Sequence, residues 1–187
     1  MYSLHPYAPT NSSLTLSASL ERNQRNHLSV RYYLQDNQNE VIFSPPNHQP
    51  NRADNLWEKT CFELFLGFPG SCRYWELNLS PSGDWNLFRF NTYRHGMVEE
   101  LLIVSLPMEV IRKNHSLTLH STLDLNPFIH PHQPIDASIT AVIILSDKTP
   151  TYWAINHCGN QPDFHLRESF SISLNPKESL FFRGYPG

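Results

Sequence analysis

A chain of 187 residues has room for one domain with a sizeable core and is short for two. Lys and Arg together number 14 against 17 for Asp and Glu, a formal charge of -3 with no basic block, which argues against nucleic acid or an anionic membrane surface as a partner. No segment approaches the roughly 20 consecutive apolar residues of a membrane-spanning helix.

In chain order, the opening MYSLHPYAPTNSS lacks the basic start and apolar core of a secretion signal, so a cytoplasmic protein is expected. Residues 14–20 (LTLSASL) alternate cleanly, with Leu14, Leu16, Ala18 and Leu20 inward, and Leu28, Val30, Tyr32 and Leu34 make the returning strand. A short Val-Ile-Phe run at 41–43 precedes 44–54 (SPPNHQPNRAD), where three prolines and repeated Asn exclude a helix. Loops of that length often lie over a binding site.

The stretch 56–90 holds three alternating runs separated by Pro-, Gly- and Ser-rich turns at 68–71 and 80–84, the pattern of adjacent antiparallel strands. Phe62, Leu64, Leu66 and Phe68 share one face, with Cys61, Glu63, Phe65 and Gly67 on the other. Trp75, Leu77 and Leu79 oppose Tyr74, Glu76 and Asn78 in the same way. If the aliphatic faces meet the core, Glu63, Glu76 and Asn78 lie together on the opposite face, and two neighbouring carboxylates repel. Stability alone would not select that pair.

Beyond it the sequence predicts an irregular link over 96–106 with a short strand at 101–106, and one helical turn at 107–112. A strand at 117–123, a Pro- and His-rich loop at 126–136, a buried strand at 139–145, a strand at 151–157 and a closing strand at 170–174 complete the chain. Eight or more strands with no long helix and no repeat define an all-β single domain over 1–187, a two-sheet antiparallel β-sandwich.

Trp57, Trp85 and Trp153 each read either as core tryptophans or as flat platforms for the C–H face of a sugar or for a haem plane. Trp75, in line with Leu77 and Leu79, reads as core. Glu63, Glu76 and Asn78 read either as a solvated sheet face or as hydroxyl-binding groups, with Arg89 or Arg73 to balance charge. In 157–165 (HCGNQPDFH), adjacent His and Cys point to opposite faces, so a turn capped by Asp163, with His165 bonded to backbone, is preferred over a metal site. His130 and His132 are weaker candidates still. Cys61, Cys72 and Cys158 are odd in number and show no metal spacing, consistent with reduced thiols. No phosphate loop, nucleophile elbow or zinc-protease motif occurs.

Three blocks, LWEKTCFELFLG, YWELNLSPSGDWNLFRFNTYRHGM and YWAINHCGNQPDFHLRESF, resemble bacterial DOMON-like proteins, a group related to the carbohydrate-binding modules of family nine. The resemblance covers most of the chain in order, and the first fifty residues only in strand pattern. It implies a jelly-roll-like β-sandwich that binds a small carbohydrate without catalysis or, in other branches, haem. It also implies Trp57 and Trp153 as stacking platforms, with Glu63 six residues after Trp57 and with Glu76 and Asn78 as second-strand recognition groups. Glu76 departs from the basic or amide residue that the resemblance leads one to expect there. No cofactor is expected: the haem branch uses Met and His as axial ligands, whereas Met97 and Met108 fall outside the central strands. The other alternative is a glycosidase-like enzyme working through the paired carboxylates. The sequence assigns no oligomeric state.

Overall fold

The alternation in the first forty residues becomes a hairpin whose inward leucines all face one core. The computed structural model describes residues 1–10 and 12–175. Its strands are β1 (Tyr2–Pro6), β2 (Thr15–Arg22), β3 (His27–Gln35), β4 (Cys61–Gly67), β5 (Tyr74–Leu79) and β6 (Trp85–Phe90). They continue with β7 (Val98–Glu99), β8 (Met108–Lys113), β9 (Ser116–Asp124), β10 (Ile135–Ile144), β11 (Pro150–Ala154) and β12 (Ile172–Leu174). Helical geometry among the described residues is confined to two 3-10 turns, Leu56–Glu58 and Arg167–Ser169. No helix among them is long and apolar enough to cross a membrane.

Every named strand pair is antiparallel, in the order β7-β6-β5-β4-β10-β11-β1-β2-β3-β9-β8. β12 adds to β10 beside the start of that strand, leaving its later half to β11. Where a two-sheet sandwich is expected, the two sets of strands are continuous through β1. Tyr2, Ser3 and Leu4 of β1 pair with β2, while His5 and Pro6 pair with β11, so one curled sheet runs through β1. Its two halves still enclose a common apolar core. Leu16, Leu34 and Leu119 come from one half, and Leu64, Leu77 and Ile139 from the other. Tyr32 crosses that core to donate its hydroxyl to the Glu63 carbonyl at 2.6 Å, bracing the central strand from behind.

Three expectations about elements are corrected. Residues 107–112 form edge strand β8, not a helical turn, because a ladder to β9 from Met108↔Ser121 to Lys113↔Ser116 satisfies their backbone, with Met108 and Val110 packed on the core. Residues 101–106 form no strand, although Ile103 and Leu106 are buried; the short strand is Val98–Glu99. The 41–43 run contributes a single bridge, Val41↔Leu145. Strand β1 was absent from the sequence reading, since only Leu4 in it is buried.

Candidate functional site

In β4, β5 and β10 the outer face is not wet. Phe65, Tyr74, Phe88, Phe90, Val142, Ala154, Phe164 and Phe170 form a second apolar cluster there, with Trp57, Ile144 and Tyr152 at its margin. Register decides which polar groups join it. Glu63 lies opposite Asn78 on one side and Thr140 on the other, and Glu76 lies opposite Phe65 and Phe88. Glu63 and Glu76 are therefore diagonal neighbours on one face, 3% and 5% exposed.

Three irregular segments turn this patch into a pocket. The 44–54 loop does not cover it. That loop packs on the 80–84 turn through Asn47 N–H to the Ser82 carbonyl (2.8 Å) and Asn47 Nδ2 to Asp84 (2.7 Å). Gly83, with φ of 103°, supplies the left-handed residue of that turn. The loop's end is sewn to β6 by Ala53 N–H to Trp85 O (3.0 Å), with Arg52 stacked 4.4 Å over Trp85. From there Asn55 takes a left-handed conformation and the 3-10 turn sets Trp57 edge-on to Phe88, 5.9 Å between ring centroids. The second segment is the 91–97 turn, bringing Arg94 and Met97. The third, 162–165, brings Pro162, Phe164 and His165, and is anchored by Arg167, whose guanidinium donates to the Phe68 and Ser71 carbonyls at 2.9 and 3.1 Å. Gly67 lets the Arg167 guanidinium lie directly over the backbone, and a β-carbon there would make it move.

The pocket so enclosed has a volume of about 340 Å³. Its walls are Trp57, Phe90, Val142, Tyr152 and Phe164, and its polar groups are Glu63, Glu76, Arg94 and His165. Asn78 Nδ2 donates to Glu76 Oε1 at 2.8 Å, and Thr140 donates to Glu63 Oε2 at 3.3 Å. Burial, and then the neighbouring Glu76, push the Glu63 carboxyl well above the usual carboxylate range. Burial lifts Glu76 to about 7 against the opposing pull of Asn78 and Arg94. Both acids are thus harder to ionise than exposed carboxyls, and Glu76 is poised to lose its proton near neutrality.

His165 packs among Phe65, Tyr74 and Phe90, with ring centroids 5.2–5.8 Å away. Burial, and then the Arg94 charge, depress it to about 4, so the imidazole is neutral. The Tyr74 hydroxyl accepts the Arg94 backbone N–H at 3.1 Å and stands 2.8 Å from His165 Nδ1. Tyr74 keeps its proton, burial having raised it to about 12. The other ring nitrogen, Nε2, lies 3.8 Å from Glu76 Oε2. Asp163 ties the rim together. It accepts from the Tyr93 hydroxyl, from Arg94 Nη2 at 3.1 Å and from the His165 backbone N–H at 3.0 Å. Burial opposes its ionisation, but those three donors outweigh burial and hold it below the usual range.

Of the residues singled out in the sequence, Trp57, Glu63 and Glu76 line the pocket, and Asn78 lies beneath it, fully buried, orienting Glu76. Arg89 and Trp153 do not reach it. Arg89 pairs with Trp75 on the core-facing side of β6, and Trp153 pairs with Ala141, points into the core and donates Nε1–H to Thr151 at 2.9 Å. The neighbouring Tyr152 faces the pocket instead, one residue being enough to change faces. Trp75 and Trp85 are core residues. His165 bonds a side chain rather than backbone, whereas Asp163 does cap its turn. Arg94, Tyr152 and Phe164 escaped sequence reading, and Met97 entered it only as a haem ligand outside the central strands; the density of His, Asp and aromatic residues in 157–165 was a signal for Phe164 alone. Among the described residues no three His, Cys, Asp or Glu side chains are placed to hold a metal ion, and Cys61, Cys72 and Cys158 are free thiols.

No protein-family profile matches the chain, and no curated protein matches it in sequence. Solved structures do match in fold. A candidate carbohydrate-binding protein from Bacteroides uniformis superposes with a TM-score of 0.64 at 14% identity, over 93% of this chain and 86% of that one. A carbohydrate-binding module of family nine from Caldicellulosiruptor kristjanssonii, in complex with glucose, superposes with a TM-score of 0.51 at 12% identity, over 96% of this chain and 84% of that one. At such identities the likeness is one of fold: an antiparallel curled sheet of this kind.

Proposed function

We propose that the protein is a non-catalytic binding module for a small carbohydrate, taken up in the pocket between Trp57 and the 162–165 segment. One observation carries this reading: the pocket joins a few hydrogen-bonding groups, Glu63 and Glu76 with Arg94 and His165, to mostly aromatic walls. A sugar ring has the same division, apolar C–H faces and a belt of hydroxyls. About 340 Å³ lies at the small end of the roughly 300–1,000 Å³ range of ligand pockets, which suits one ring better than a long chain. The glucose-bound family-nine neighbour supports the same class. In this reading Trp57, with Tyr152 or Phe164, stacks on the ring, Glu63 and Glu76 meet hydroxyls, and Asn78 holds Glu76 in place. The guanidinium that lines the pocket is Arg94, not Arg89, and it is paired with Asp163.

A thermal-shift screen of mono- and disaccharides, followed by titration calorimetry, tests the proposal. At least one sugar is expected to raise the melting temperature, and Trp57→Ala to weaken it by about tenfold, the scale of one lost aromatic contact. Failure of every sugar to stabilise the protein would remove the proposal's support.

A glycosidase-like reading is second, favoured by two neighbouring acids of which Glu63 is pushed up by burial and by Glu76, and Glu76 ionises near neutrality. Turnover of chromogenic glycosides, lost in both Glu63→Gln and Glu76→Gln, would select it. Haem fits the residues poorly. Met97 and His165 do line one pocket, but the floor presents two carboxyl groups to a macrocycle that is itself dianionic at its edge.

A further inference from the structure

The floor of the pocket is acidic without a counter-ion. Among the described residues, Glu63 is bonded by the neutral Thr140 and Glu76 by the neutral Asn78, and no arginine or lysine forms an ion pair with either. The nearby guanidinium, Arg94, stands half-exposed at the rim and is bonded to the buried Asp163, so that pair carries no net charge as a unit. The other titratable groups on the floor, His165, Tyr74 and Cys61, are neutral as described or, for the thiol, kept protonated chiefly by burial. A floor built only to meet neutral hydroxyls can be served by amides and does not require two acids side by side. A cation lodged between them would favour the ionised form of both acids, which burial otherwise suppresses, and the aromatic rings of Trp57, Phe90, Tyr152 and Phe164 line the same pocket.

We infer that the pocket prefers a sugar carrying a protonated primary amine over the corresponding neutral sugar, with the ammonium group held between the carboxyl groups of Glu63 and Glu76. This deepens the carbohydrate reading and rests on it. An ammonium group brings three N–H donors, enough to reach both acids, and acetylation of the amine removes the charge that the floor selects.

The test is calorimetric titration of the intact chain with glucosamine, glucose and N-acetylglucosamine. It is run at about pH 6.5, below the roughly 7.7–8.0 typical of α-amino groups, so that the free amine is charged. Glucosamine is expected to bind at least about tenfold more tightly than either neutral sugar, a ratio worth about 1.4 kcal/mol. Glu76→Gln is expected to narrow the glucosamine-to-glucose ratio, but the preference itself is read on the unmodified chain and does not depend on that variant folding. Equal binding of the three sugars, or tighter binding of glucose, would overturn the inference and leave the carbohydrate reading standing. Binding of none would overturn both.

Discussion

The two halves of the curled sheet use alternation differently. In β2, β3 and β9 every second residue but Arg22 is a leucine, valine, alanine, serine or tyrosine packed inward, and residues between them, such as Arg31 and Tyr33, meet solvent. In β4, β5 and most of β10 both faces are buried, so the residues between core positions meet a second layer of protein. An acid on the first kind of face is ordinary. On the second it loses water, and Glu63 and Glu76 respond by holding their protons at pH values where exposed carboxyls have released them.

Substitutions on matching outward positions break or sharpen this contrast. The largest effect is expected at Phe65, fully buried at the centre of the second layer. Phe65→Ala should lower stability by about 3–5 kcal/mol in urea unfolding, whereas Tyr33→Ala on the open half should stay within about 0.5 kcal/mol. Similar losses at both sites would show that the second layer contributes nothing to the fold.

Next comes Glu76→Gln, measured across pH. The folded-state value of Glu76 is raised to about 7 from 4.5, so the acid costs nothing below about pH 4.5 and destabilises the fold progressively as pH rises through 7. At about 1.36 kcal/mol per unit, the variant should gain up to about 3 kcal/mol on the parent above neutrality and show a flatter profile. A constant offset at all pH values would contradict the assigned ionisation. Asn78→Ala should cost about 1–3 kcal/mol and push Glu76 above its present value, because its amide is the nearest donor holding that carboxyl down, and carbon NMR titration of the carboxyl reads the shift directly. The smallest effect is expected for Arg31→Ala, within about 0.5 kcal/mol.

The open half was legible because water writes a period of two into its sequence: residues 14–20 and 28–34 became β2 and β3 with the inward set as read. The acidic pair was legible for the same reason, since Glu63, Glu76 and Asn78 fall on one face wherever the aliphatic residues fall on the other. Strand direction does not say what lies above a face. Arg94 and Phe164 reach the pocket through turns more than sixty residues apart, joined by an Arg94–Asp163 contact that no local pattern announces. Trp153 misled because an exposed-looking YW pair gives no hint of which ring turns inward; pairing with Ala141 decides it. Residues 107–112 misled because an edge strand with a polar outer face resembles a short amphipathic turn until β9 supplies its partner.

Strand β1 has a kinetic corollary. Its first three residues can dock as soon as β2 exists, but His5 and Pro6 must wait for Ala154 and Trp153, which follow almost a whole domain later. Such distant partners make closure of the sheet a late event with a large loop-entropy barrier. Until that final zipper step, one margin of β11 remains an unpaired ribbon, open to whatever strand arrives first.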